Sequence, residues 1–85
     1  MKYTIGIDRQ ALKYLSKLPA NFRTQIKRKI DSLADNPRPH GYKELKGAKG
    51  YFRVRSGDYR IIYKIADDVL LVTVLEVGDR REIYK

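Results

Sequence analysis

The sequence contains no cysteine, a single histidine and no apolar run long enough to cross a bilayer. Without cysteine there is no disulfide frame and no thiolate metal site, so an apolar core must carry the 85-residue fold. The lone His40 cannot form a metal site by itself. A membrane-spanning helix needs roughly 20 apolar residues, and residues 2–7 alternate in polarity rather than forming the apolar segment of a signal peptide. We therefore expect one cytoplasmic domain over residues 1–85.

Common catalytic signatures are also missing. No glycine-rich phosphate loop follows a strand and opens a helix, and one histidine in a proline-rich loop does not make a credible Ser-His-Asp set. The acidic residues near the C-terminus are interspersed with basic ones, as salt-bridge partners are: Glu76, Asp79 and Glu82. The sequence therefore disfavours catalysis by a metal held on paired carboxylates, and we expect no cofactor.

Positive charge is what the chain has in excess. It carries 19 basic and 10 acidic residues, for a formal net charge of +9. Such a charge makes a small domain repel itself and indicates an anionic partner, namely nucleic acid, an anionic membrane surface or an acidic protein. The basic residues occur on predicted strands as well as helices, which favours nucleic acid or an acidic protein over a membrane-bound helix.

The apolar periodicity predicts an α+β fold, with two N-terminal helices on one face of a mostly antiparallel, twisted, four- to five-stranded sheet. We expect strands over 2–7 and, as a short edge strand, over 43–46. Asp8 is suited to cap the first helix, and Pro19 and Asn21 separate it from the second. The predicted apolar positions of the two helices are Ala11, Leu12, Leu15 and Leu18, then Phe22, Ile26, Ile30 and Leu33.

Residues 50–63 predict a β-hairpin whose two faces differ in character. Ser56-Gly57-Asp58 supplies turn chemistry, and a two-residue loop at 57–58 places Arg55 opposite Arg60. One face is then apolar, and three arginines project from the other: Arg53, Arg55 and Arg60. Clustered guanidinium groups repel one another, so this face favours a polyanionic ligand over a merely solvated surface.

The C-terminal third predicts a central strand and a basic tail. A two-residue turn at 67–68 leads into residues 69–77, which are apolar on both faces. In that register Leu75 lies opposite Arg60. Residues 78–85 then carry three further candidate side chains near the arginine face: Arg80, Arg81 and Tyr84.

Arginine, lysine and tyrosine are enough to cleave RNA, because RNA carries its own nucleophile. The 2′-hydroxyl lies next to the scissile phosphate, and arginines can hold that phosphate and stabilise the charge of the transition state. A lysine or tyrosine can transfer the proton when neighbouring cations lower its pKa. DNA lacks the 2′-hydroxyl, so the same side chains would bind it without cutting it.

Four segments resemble the RelE branch of the RelE/ParE toxin superfamily, in order and over nearly the whole chain. They are Ala11-Leu-Lys…Leu18, Lys43-Glu-Leu-Lys-Gly47, Tyr51-Phe-Arg-Val-Arg-Ser-Gly-Asp-Tyr-Arg-Ile-Ile-Tyr63 and Val77-Gly-Asp-Arg-Arg-Glu-Ile-Tyr84. The resemblance implies the toxin of a type II toxin–antitoxin pair, which enters the ribosomal A site and cuts mRNA there. It also implies a RelB-like antitoxin, and the basic charge suits an acidic, partly disordered partner.

The resemblance also implies roles for individual residues. Arg60 matches the family's phosphate-stabilising arginine, Arg80 its second catalytic arginine, and Tyr84 the tyrosine that orients the target nucleotide. Arg53 stands where relatives often carry a lysine, and arginine does not readily act as a base. The candidate bases are therefore Lys46 and Tyr84. The expected RNA-binding residues are Lys43, Lys49, Arg55 and Arg81.

Two other functions remain open at this point. A ParE-type toxin that inhibits DNA gyrase would use the same scaffold without the arginine–tyrosine site, and a supercoiling assay beside a translation assay separates the two. A non-toxic RNA-binding module is the third reading, and growth arrest on induction would exclude it.

Overall fold

The computed structural model describes residues 2–79, which form two helices and one five-stranded mixed sheet. In chain order the elements are β1 (Thr4–Ile7), α1 (Arg9–Ser16), α2 (Ala20–Ser32), β2 (Lys43–Glu44), β3 (Tyr51–Ser56), β4 (Tyr59–Ala66) and β5 (Leu71–Asp79). The sheet order is β1-β5-β4-β3-β2, with β1 parallel to β5 and the other neighbouring pairs antiparallel. The predicted α+β fold is confirmed.

The core joins both helices to one face of the sheet. Its buried apolar residues are Ala11 and Leu15 from α1, Ile26 and Ile30 from α2, Leu33 just after it, and Val54, Ile61, Tyr63, Val72, Val74 and Val77 from the sheet. The buried Tyr63 hydroxyl donates a hydrogen bond of 2.7 Å to the carbonyl oxygen of Pro37. Since a buried polar group without such a partner is costly, this bond fixes the chain after α2 to the centre of the sheet.

The helix predictions need three corrections. Leu12 is 52% exposed, because the short α1 turns only Ala11 and Leu15 fully into the core. Phe22 is 39% exposed and packs against the Tyr59 ring, with ring centroids 5.7 Å apart, rather than entering the core. Asp8 is the N-cap residue, but its side chain makes no capping hydrogen bond.

The strand boundaries also differ from the predictions. β1 begins at Thr4 rather than at residue 2, and β2 ends at Glu44 rather than at residue 46. β5 covers Leu71–Asp79 rather than 69–77, because residues 67–70 form the turn that precedes it. Its predicted central position is confirmed, since β5 lies between β1 and β4.

The predicted register between β4 and β5 is wrong. Ala66 pairs with Leu71 across a four-residue turn, and Leu70 in that turn has a φ of +51°. A β-bulge then leaves Leu75 as an extra residue, so that Arg60 lies opposite Gly78 instead of Leu75. A shift of two residues keeps every side chain on its own face, so the apolar pattern does not distinguish the two turn lengths.

Candidate active site

The β3–β4 hairpin has the predicted register. Arg55 pairs with Arg60 and Ser56 with Tyr59, which leaves 57–58 as the two-residue loop. Gly57 has a φ of +61°, and a Cβ atom there would lie 2.9 Å from the Gln25 side-chain nitrogen. The positive φ is what requires glycine here, since the exposed Gln25 side chain can move aside, and the turn that Gly57 permits sets the positions of the arginines.

A cavity of about 300 Å³ collects cationic side chains from four elements. Its wall consists of Lys29 from α2, His40 and Gly41 from the following loop, Lys43 from β2, Arg53, Val54 and Arg55 from β3, and Arg60 from β4. We call this the cationic cavity. Among residues 2–79, its wall contains five lysine or arginine side chains and no carboxylate. The cavity therefore favours an anion such as a phosphate group.

The cationic cavity lies at the start of β2, beside Lys43. β2 pairs with β3 only at Phe52 and Arg53, so the ladder on that side stops before Arg55. Lys29 of α2 and the loop residues His40 and Gly41 complete the wall. The shortness of β2 therefore leaves room for a ligand beside the arginines of the hairpin.

Arg60 is only 5% exposed, which corrects the expectation that it projects from a bare sheet face. Gly78, its partner on β5, has no side chain to occupy the neighbouring space. Arg53 is half-buried and Arg55 is exposed. A guanidinium held in so enclosed a position is weakly screened by water, so its effect on a bound anion is stronger than that of an exposed arginine.

The loop that carries His40 is anchored on both sides. Before it, Arg38 makes a bidentate ion pair with Asp67 in the β4–β5 turn, with nitrogen–oxygen distances of 2.8 and 3.2 Å. The Tyr3 hydroxyl donates to the same carboxylate. The Arg38 guanidinium also lies over the Phe52 ring, 5.9 Å from its centroid.

Beyond His40, the loop closes as a tight turn. The Tyr42 backbone N–H donates to the carbonyl oxygen of Pro39 at 3.0 Å, and Gly41 has a φ of +90°, as a type II turn requires at its third residue. The Tyr42 ring packs on the Phe52 ring, with centroids 5.7 Å apart. His40 is therefore held between two fixed segments.

The strongly shifted pKa values belong to groups that hold this loop. Hydrogen bonds from Arg38 and then Tyr3 lower the pKa of Asp67 to about 2, and the bond to Asp67 raises the pKa of both donors. Burial raises the pKa of Tyr63 to about 12. Asp67 and Tyr63 are therefore charged and neutral, respectively, across the physiological range, and the anchors do not loosen there.

Four of the predicted site residues meet at the cationic cavity: Lys43, Arg53, Arg55 and Arg60. Lys46 and Lys49 lie exposed in the turns between β2 and β3 and do not line it. Arg80, Arg81 and Tyr84 fall outside the described residues. Glu44 accepts a hydrogen bond from the Gly50 backbone N–H at 3.1 Å, so its carboxylate closes the β2–β3 connection.

Two residues of the cavity wall were missed as candidates from the sequence. Lys29 follows three positions after Ile26 and directly precedes Ile30, so it borders the apolar side of α2, and that position was the available signal. His40 lies in a proline-rich loop, and the sequence around it gives no sign of a catalytic role. Contacts of its loop with β3, β4 and the β4–β5 turn bring it to the cavity wall.

Neither a membrane helix nor a metal cluster is found in the described part of the chain. No helix within residues 2–79 has the length and apolarity to cross a bilayer. The same residues contain no group of three or more histidine, cysteine or acidic side chains arranged to hold a metal ion.

Comparisons with known proteins agree with this architecture. The family model described as ParE toxin of type II toxin-antitoxin system, parDE, matches residues 5–84. The chain is 34% identical to the mRNA interferase toxin RelE of Escherichia coli (strain K12), over 99% of this chain and 92% of that protein. It is 30% identical to toxin RelG of Mycobacterium tuberculosis, over 100% of this chain and 99% of that protein. A chain of the archaeal RelE-RelB complex from Pyrococcus horikoshii OT3 superposes with a TM-score of 0.82 at 28% identity, covering 94% of this chain and 97% of that chain.

Proposed function

The chain belongs to the RelE/ParE family of type II toxin–antitoxin toxins, and from that premise we propose that it is an mRNA interferase, an endoribonuclease that stops translation by cutting messages. The observation that carries the proposal is the nearly buried Arg60 in the wall of the cationic cavity. The relative with 34% identity over almost the whole chain is named for this activity.

The chemistry proposed for the cavity needs no metal. The 2′-hydroxyl of the message attacks the adjacent phosphorus, and the arginines stabilise the negative charge that develops on the phosphate oxygens. Arg60 supplies the least solvated cation of the cavity wall, while Arg53 and Arg55 hold flanking phosphates. Bidentate contacts from guanidinium groups suit this task, because they fix the direction of the phosphate as well as neutralise it.

The ribosome is the proposed site of action, which would place the protein in the cytoplasm. The cavity holds about 300 Å³, enough for a phosphate and part of a nucleotide but not for a folded length of RNA. Positioning of the message in the ribosomal A site would therefore supply much of the rate enhancement. The net charge of +9 favours binding to ribosomal RNA through its phosphates.

An antitoxin protein is the proposed regulator. Relatives of this chain were crystallised in RelE–RelB complexes, one archaeal and another from E. coli. We propose a RelB-like partner with an acidic, partly disordered segment that folds along the basic surface of the toxin. It would mask the cationic cavity and exclude the message.

A gyrase-inhibiting toxin is the second candidate, because the matching family model is the one named for ParE. Such a toxin would not need the cationic cavity. The two candidates are separated by incubating the purified chain with translating ribosomes and, in parallel, with DNA gyrase and relaxed plasmid. Cleaved message with normal supercoiling supports the mRNA interferase, and the reverse result supports the gyrase inhibitor.

The central test removes the Arg60 guanidinium. Arg60→Ala should lower the rate of mRNA cleavage in a translation extract by at least roughly 100-fold, the usual effect of losing one group that stabilises a transition-state charge. Primer extension on the extracted message measures the cleavage. Arg28→Ala is the matched control, because it removes an equal charge from the side of α2 that does not line the cavity.

The fold of the variant is checked separately, because Arg60 is nearly buried. Arg60→Gln keeps most of the side-chain volume and should be equally inactive, with a circular dichroism spectrum like that of the unchanged protein. Cleavage at the normal rate by either Arg60 variant would overturn the proposed role of this residue. Absence of cleavage by the unchanged protein would overturn the proposed function.

A further inference from the structure

His40 differs from the other polar side chains of the cationic cavity, because histidine is the type whose ordinary pKa lies near neutral pH. We propose that His40 is the general base that takes the proton of the 2′-hydroxyl during RNA cleavage. This inference rests on the proposed function and adds a catalytic residue to it. His40 is also the only histidine of the chain, so its contribution can be measured in isolation.

The first support is that the backbone on both sides of the exposed His40 is fixed by contacts that a simple connection would not require. The buried hydroxyl of Tyr63 holds the Pro37 carbonyl, and the Arg38–Asp67 ion pair holds the next residue. On the other side, the turn closed by Tyr42 and Gly41 sets the backbone direction at His40. A catalytic base benefits from such fixation, since proton transfer requires the donor and acceptor within hydrogen-bond reach.

The second support is the charge distribution around His40. The titratable and charged side chains that share the cavity with it come from every element of the wall, and all are cations: Lys29, Lys43, Arg53, Arg55 and Arg60. Arginine stays protonated, and a lysine is a poor base at neutral pH unless its pKa is strongly lowered. The cations are suited to hold the phosphate, and this leaves the imidazole as the group in the wall that is suited to accept a proton.

The proposed step balances as a transesterification. The neutral imidazole of His40 accepts the 2′-hydroxyl proton as the 2′-oxygen forms a bond to phosphorus, and the bond from phosphorus to the 5′-oxygen breaks. The departing 5′-oxygen takes a proton from water. The products are a 2′,3′-cyclic phosphate on the upstream fragment, a 5′-hydroxyl on the downstream fragment and a protonated imidazole, which releases its proton to solvent.

The test is single-turnover cleavage of a message bound to programmed ribosomes, with toxin in excess but below saturation. His40→Gln and His40→Ala should each cleave roughly 100- to 10,000-fold more slowly, the range typical of losing a general base. Both variants should bind the ribosome in a sedimentation assay as the unchanged protein does. Added imidazole should restore part of the activity to His40→Ala but not to Arg60→Ala, and Arg28→Ala should cleave normally throughout.

The dependence of the cleavage rate on pH distinguishes a catalytic role of His40 from a purely structural one. The cleavage rate of the unchanged protein should rise with pH and then level off, as a single general base requires. The rate of His40→Gln should lack this rise.

Three results would overturn the inference. They are normal cleavage by His40→Gln, parallel loss of ribosome binding and cleavage, or an unchanged pH profile in the variant. If the unchanged protein cuts no message, the proposed function fails first, and the role of His40 falls with it.

Discussion

The hydroxyl of Tyr63 offers a sharp test of how the core supports the site. Tyr63→Phe removes one oxygen and leaves the ring, so it deletes the 2.7 Å hydrogen bond to Pro37 with little change in packing. The carbonyl oxygen of the buried Pro37 then loses its partner. Leaving a buried acceptor unsatisfied costs about 1 to 3 kcal/mol, which lowers the melting temperature of a domain of this size by about 4–8 °C per kcal/mol.

The same variant should change how stability depends on alkaline pH. Burial raises the folded-state pKa of Tyr63 to about 12, whereas an unfolded tyrosine titrates near 10. Its contribution is fully present below pH 10 and is lost as the pH rises towards 12, because the unfolded chain releases the proton first. A shift of two pKa units corresponds to about 2 to 3 kcal/mol, and Tyr63→Phe should lack this part of the alkaline loss.

Urea denaturation at pH 7 to 12, followed by circular dichroism, measures both effects. The informative quantity is the difference in unfolding free energy between the two proteins, because the other tyrosines titrate in each of them. The reasoning would be refuted if Tyr63→Phe were as stable as the unchanged protein at pH 7. It would also be refuted if the plots of unfolding free energy against pH for the two proteins stayed parallel above pH 10. Either result would mean that the hydroxyl is not held as the structure shows.

Two further predictions concern the anchors of the site. Asp67→Asn should reduce the loss of stability between about pH 4 and pH 2, since Asp67, whose pKa is lowered in the fold, stabilises it only while its carboxylate is charged. Acid titration followed by circular dichroism measures this loss. An acid transition identical to that of the unchanged protein would contradict the prediction. The same variant should speed hydrogen exchange at the Tyr42 amide, because the ion pair with Arg38 no longer fixes the loop. Gly57→Ala should destabilise the hairpin by about 1 to 2 kcal/mol in thermal melts, because alanine is strained at the positive φ of this position, and an unchanged melting temperature would exclude that strain.

The fold was largely predictable because its local signals agree with each other. The alternation in β3 and β4 and the turn chemistry at 57–58 point to the same hairpin, and the observed register has Arg55 opposite Arg60. The β4–β5 pairing was not predictable in this way. Its turn is two residues longer than the sequence suggested, and the apolar pattern does not record such a shift, because it keeps each side chain on its own face. The bulge at Leu75 does interrupt the alternation, since Val74 and Val77 are buried and Glu76 is exposed.

The part of the site that was predictable lies mostly on the hairpin, with Lys43 of β2 beside it. Arg53, Arg55 and Arg60 share a face because strand geometry requires it, and the sequence is enough to show that. His40 joins them through the Tyr63 hydroxyl and the Arg38–Asp67 pair, which are contacts between segments distant in sequence. No local pattern near His40 encodes those contacts, so its place in the cavity wall follows only from the three-dimensional structure.

Strand β4 places a side chain of the proposed site next to a side chain of the core. Arg60 enters the cationic cavity, while Ile61 and Tyr63 belong to the core. If the proposed site is right, many substitutions along this strand will inactivate the protein, some by removing a catalytic group and others by unfolding the domain. A genetic selection for cells that survive expression of the protein would recover both kinds of substitution in the same short segment of the gene. Measuring the amount of folded protein for each survivor would sort them.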